Sequence, residues 1–262
     1  MFTVNPFSEL SGLISPLAMQ LYVIAMILLV IGGTVLDMIH KKSAEYFFRN
    51  AEKARAEASR KVSVVKKSSI AVTTFEVDVL TSWEFCKQRI MLSHLLTMYG
   101  FILFSATTSI MIFGYIGAQT PIILPLLWHL GALMLCVGGY WFWFFIRVDV
   151  AAEGNPWYRV VRADLFILSL LATATFALVW SFMQAVGASS LSMLFFSLFI
   201  LSSTVLFGGV LWSKFAHMFF KPAAAFQKRV AKADGSRDGL PEPADKPEQF
   251  GPGIKRLLPK NY

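Results

Sequence analysis

Two histidines stand at matched depths inside apolar stretches of this 262-residue chain, and matched depth is what would let them act together. His94 lies five residues inside Arg89, about 7.5 Å at the helical rise of about 1.5 Å per residue. His217 lies four residues before Lys221, about 6 Å inside the same boundary if the helix runs on through Phe219 and Phe220. Two imidazoles facing each other from neighbouring helices at one level suit bis-histidine ligation of a b-type haem, whose iron takes one axial ligand from each side. Gly100 beyond His94, with Gly208 and Gly209 before His217, removes side-chain bulk along the same helices and would leave a macrocycle room. The same residues also read as two interfacial histidines on helices that pack closely at glycine.

The other two histidines fit that pairing less well. His40 ends an apolar run beside Lys41, where an imidazole reaches water. His129, in LLWHLGALML, is 18 residues from Arg147, about 27 Å along a helix, and cannot share a haem plane with His217. At that depth it could hydrogen-bond a quinone carbonyl or relay a proton, or simply bond to a neighbouring helix. Asp37 and Asp164 fall near the ends of apolar runs and read as interfacial.

The elements that must position these residues are membrane spans. The chain is 56% hydrophobic and 15% charged, with mean hydropathy +0.58, whereas soluble domains carry about 25% charged residues. A spanning helix needs roughly 20 mostly apolar residues, and such runs occur at 17–39, 90–116, 121–146, 163–187 and 190–220. The expected fold is therefore an all-α, five-helix transmembrane bundle. Gly117 to Pro121 and Gly187 to Ser190 carry turn residues and predict tight hairpins.

Orientation follows from the basic residues, which stay on the cytoplasmic side of short loops. Of the 24 Lys and Arg, 11 fall between Lys41 and Arg89, three are Arg147, Arg159 and Arg162, and ten run from Lys214 to Lys260. This predicts the N-terminus outside and the C-terminus cytoplasmic. Residues 1–16 form an outer segment, 17–222 a five-helix domain with a cytoplasmic loop at 41–89, and 223–262 a cytoplasmic tail. With no Lys or Arg before Lys41, the first run reads as a retained helix rather than a signal peptide. The formal charge of +8 is accounted for by topology, with membrane lipid as neighbour and no nucleic acid implied.

Within the loop, residues 41–61 are rich in Ala, Lys, Arg and Glu. They read either as a solvated helix or as a docking surface. Residues 62–79 mix Val, Thr and Ile in a β-like pattern. The tail from Ala233 is rich in Gly, Pro and charge, a composition that stays disordered without a partner.

Other chemistries lack support. The two cysteines, Cys86 and Cys136, form no CxxC pair for zinc or an iron–sulfur cluster, and there is no GxxxxGK[ST], GxGxxG or HExxH motif. A transporter would predict interrupted helices and inverted repeats, and neither is present in the sequence.

RIMLSHLLTMYGFILFSATT (89–108) and LWSKFAHMFFKP (211–222) resemble signatures of the respiratory nitrate reductase gamma-subunit type of cytochrome b. That family includes membrane subunits of heterodisulfide-reductase-like complexes. The likeness spans roughly residues 17–222, with an Arg-and-Asp loop echoed by RVVRADLFILSLL from Arg159. It implies a multi-pass protein of the bacterial inner membrane that carries electrons between quinone and a cytoplasmic flavin or iron–sulfur oxidoreductase. His94 and His217 match the axial ligands of the haem nearer the cytoplasm, while the family's outer ligand positions are here Phe104 and Phe199. The resemblance thus implies one haem b. Having no cluster motif, the chain is most similar to the membrane anchors associated with adenylylsulfate reductase in sulfur-oxidising bacteria. Substrate chemistry would then belong to the partner. The alternative is a haem-free structural anchor for the same kind of enzyme.

Overall fold

The structure is a computed structural model that describes residues 2–40, 43–81, 88–147, 158–210 and 217–236. Its helices are α1 (Pro6–Glu9), α2 (Pro16–His40), α3 (Ser43–Ala56), α4 (Val64–Thr74), α5 (Gln88–Gly114), α6 (Ile123–Trp141), α7 (Leu165–Ala185), α8 (Ser189–Gly208) and α9 (His217–Ala233). Wider π turns extend α4 through Phe75–Leu80 and α6 through Phe142–Arg147. Among the described residues there is no strand. Helices α2, α5, α6 with its π turn, α7 and α8 are each long and apolar enough to cross a membrane.

Small residues set the tightest packing. A Cβ on Gly131 of α6 would stand 2.7 Å from the Phe104 backbone nitrogen, and one on Gly100 of α5 would stand 2.8 Å from that of Leu135. The two backbones therefore meet directly, as small residues allow in membrane helices. Ser93 adds a bond from its hydroxyl to the Gly138 carbonyl at 2.8 Å. The turns after α5 and α7 use Gly117 and Gly187 at positive φ, which only glycine adopts without cost. α7 packs along α8 and on α6, and α2 leans on α8 and α5.

The core lies between α5, α6, α7 and α8, where Trp128, Trp180, Met111, Ala132, Ala174 and Ala177 are fully buried. Short α1 closes this end of the bundle. Asn5 caps it by accepting from the Phe7 backbone N–H, and donates to Thr120 Oγ1 at 3.2 Å. Gln184 reaches the Pro6 carbonyl at 3.1 Å.

Three elements differ from the sequence expectation. The fifth span stops at Gly208 instead of running to residue 220, because consecutive glycines end the helix before Lys214. The β-like stretch 62–79 is helical, started by Ser63, which accepts from the Lys66 backbone N–H. Thr74 is buried and the helix packs on α9, while Val64, Val65 and Val72 stay exposed, since β propensity reflects context. Residues 223–233, assigned to the tail, are helical within α9, and Asp234–Ser236 follow as a turn. Residues 237–262 lie outside the described residues.

Candidate functional site

The stretch of α5 that carries His94 turns one stripe toward a cleft. His94 precedes Phe101 by seven residues and Ser105 by eleven, spacings that repeat on one helix face. Phe101, Ser105, Thr108 and Ile112 on that face line a cleft of about 560 Å³ between α2, α5 and α8. His94 is exposed at the end of the stripe, near the start of α5.

His217 lies on α9, past the end of α8 at Gly208, and so not in the last turn of the fifth span. α9 is amphipathic and packs on α3, α4 and the π turn that follows α4. The two histidines thus stand on elements with different packing partners. Gly100 does not leave room beside His94, because α6 backbone fills the space its Cβ would take. Gly208 faces α2, with the Leu29 side chain 4.0 Å from where its Cβ would be. Two imidazoles suit a b-type haem as a donor set. The room on the His94 stripe lies further along, beside Phe101 and Phe104.

At that depth Phe104 and Phe199 face each other inside an aromatic cluster. Phe104 stacks on Trp128 with centroids 5.2 Å apart, and Phe199 stacks on Trp180 at 5.8 Å. Phe7 of α1 wedges edge-on against both tryptophans. The sequence signal for this cluster was the pair of tryptophans within apolar spans, together with the Asn5-Pro6-Phe7 start of α1.

His129 is buried and ties α6 to α7. Its Nδ1–H donates to the Pro125 carbonyl at 2.7 Å, which leaves Nε2 to accept from the Ser181 hydroxyl at 2.8 Å. Phe2 covers the ring edge-on at 5.0 Å. With both nitrogens engaged, the imidazole has no donor left for a quinone carbonyl in this arrangement. His40 is exposed as the last residue of α2, and Asp37 one turn earlier is buried.

Asp164 is held by Arg147. The guanidinium donates through Nε to Oδ1 at 2.8 Å and through Nη2 to Oδ2, and Nη2 also reaches the Arg159 carbonyl at 2.9 Å. The fork sits 4.2 Å above the Trp143 ring. It joins the π turn after α6 to the start of α7.

Outside the spans, α3, α4 and α9 form a small layer. The Arg60 backbone N–H donates to the Asp234 carbonyl at 2.9 Å, and Asp234 and Ser236 are buried there. Val64 and Val65 are 79% and 81% exposed beside the exposed Lys61, Lys66 and Lys67. No family model, no curated protein and no solved structure matches the chain.

Proposed function

We propose that this chain is a membrane subunit that transfers electrons between the quinone pool and a cytoplasmic redox enzyme, through one b-type haem held by His94 and His217. In this reading the N-terminus is outside, the basic end faces the cytoplasm of a bacterium, and the partner docks on the layer of α3, α4 and α9. The observation that carries it is the place of His94 on the same stripe of α5 as the cleft residues, five residues before Tyr99, whose hydroxyl donates to the Leu80 carbonyl of the π turn after α4. Exposed Val64 and Val65 among lysines give a partner both apolar and charged contacts. Adenylylsulfate reductase is the partner proposed from the resemblance. When bound, a bis-imidazole haem supplies one-electron transfer.

A haem-free anchor is the second reading. It is favoured by the end of α8 at Gly208, which puts His217 on α9, and by the aromatic pair at Phe104 and Phe199. A reduced-minus-oxidised visible spectrum of the purified protein decides between them. One b haem per chain supports electron transfer, and none in a folded preparation from a haem-replete host supports the anchor.

A further inference from the structure

The cleft between α2, α5 and α8 is elongated. It follows α2 from Ala18 to Ile31, about 20 Å at about 1.5 Å per residue, and holds about 560 Å³. Over that length its lining is mainly apolar, an environment suited to an extended hydrocarbon chain.

Its walls recognise hydrocarbon. Five of the six hydroxyls that line it are turned onto the protein: Tyr22 meets Ser203 Oγ at 2.8 Å, Thr173 donates to the Ser169 carbonyl at 2.7 Å, and Ser109 donates to the Ser105 carbonyl at 3.0 Å. Thr108 donates to the Phe104 carbonyl at 2.7 Å and accepts from Trp128 Nε1 at 2.9 Å. A polar head group would find these partners taken.

Its mouth opens sideways. Ile27 and Ile31 line the cleft and are 49% and 56% exposed, so the opening lies midway along α2, where bilayer hydrocarbon surrounds a spanning helix. Toward the other end of α2, Gly33 presses on Val210, whose Cβ stands 2.9 Å from the position of a Cβ on Gly33. Between the Tyr22 bonds and this contact, α2 borders the cleft through Val23, Met26, Ile27 and Val30.

We propose that the cleft binds one acyl chain of a bilayer phospholipid, a resident lipid that seats α2 on α5 and α8. The inference rests on the spans and the cleft and is independent of the haem reading.

The test uses the full chain, delipidated in detergent and then offered a diacyl phospholipid, with bound lipid counted by native mass spectrometry. One phospholipid is expected to stay with each chain. Ser105→Phe and Val23→Phe, which fill the cleft from opposite walls, are expected to lose it, whereas Leu28→Phe on the exposed outer face keeps it. Circular dichroism and monodisperse elution establish which variants fold, and a folded variant from either wall suffices. Retention undiminished in a folded cleft-filling variant overturns the proposal, as does a wild-type chain that holds no phospholipid. Preferential capture of an isoprenoid quinone when both are offered also overturns it.

Discussion

Phe104 on α5 and Phe199 on α8 meet edge to face with ring centroids 6.3 Å apart, midway through the bundle. They close an aromatic cluster with Trp128 and Trp180. Phe104 is 6% exposed, so truncating it removes ring area from both partners and leaves a hole that close-packed helices fill only in part. Phe104→Ala should therefore cost about 3–5 kcal/mol, and Phe104→Leu clearly less. Thermal unfolding of the detergent-purified variants checks the order, and equal midpoints for the two would show that the cluster is not packing-limited.

His129 supplies the second prediction. Ser181→Ala removes the donor to its Nε2 and leaves a buried acceptor unsatisfied, a loss of about 1–3 kcal/mol. His129→Ala should destabilise as well, yet leave haem content unchanged, because in the proposed reading His129 holds helices together and no cofactor. A spectrum of His129→Ala that loses its b-type absorbance while the protein remains folded would contradict that assignment.

The five spans could be read from sequence because each is a run of apolar residues whose length matches the bilayer, a signal that needs no tertiary information. Gly100 could not be read that way. A glycine in an apolar helix serves equally to admit a ligand or a neighbouring backbone, and only the position of Gly131 across from it decides for the backbone. The stretch 62–79 misled because Val, Thr and Ile favour strands on average, while Ser63 and the packing face of α9 made it a helix. α9 itself was hidden by joining its first residues to the fifth span, although the amphipathic pattern of 217–233 was present in the sequence. The partnership of Arg147 with Asp164 joins residues 17 apart, across a stretch whose course the sequence does not specify.

Gly131 gives the third prediction. A side chain there would begin 2.7 Å from the Phe104 backbone nitrogen and 3.0 Å from the Gly100 carbonyl oxygen, and backbone cannot swing aside as a flexible side chain does. Gly131→Val should force α5 and α6 apart and prevent a stable bundle, whereas Gly12→Ala, which meets nothing within 4 Å, should be tolerated. Yield of monodisperse protein distinguishes the two, and a well-behaved Gly131→Val would mean that the helices are not in close contact.

The Arg147–Asp164 pair is mostly buried, with side-chain exposures of 17% and 12%. Breaking a fully buried pair costs about 3–5 kcal/mol, so Asp164→Ala should cost about 2–3 kcal/mol once this residual solvent contact is allowed for. Asp164 also accepts from the Val161 backbone N–H at 2.9 Å, a bond Asp164→Asn can keep, so Asn should be the milder change. Arg147→Lys should behave like a loss of the pair, since an ammonium cannot make the two-pronged contact or lie flat over Trp143. Unfolding midpoints ranked Asn above Ala and Lys bear this out; Lys equal to wild type would show that charge alone suffices.

The last prediction tests the proposed haem ligands against the distance in sequence between α8 and α9. His94 sits on the cleft-facing stripe of α5, and His217 lies on α9, which packs on α3 and α4. If both imidazoles bind one haem iron, the start of α9 must come beside α5, and loss of either ligand should remove the b-type absorbance. His94→Ala and His217→Ala should each abolish haem incorporation, while His40→Ala, on the exposed end of α2, should leave it intact. Anchoring offers a separate readout, because α9 packs through its own face on α3 and α4 whether or not His217 carries a metal. His217→Ala should therefore still recruit the cytoplasmic partner to membranes while failing to reduce it or be reduced by it. Haem retained in both single variants would refute the ligand pair, and partner recruitment lost together with haem would show that docking depends on the same histidine.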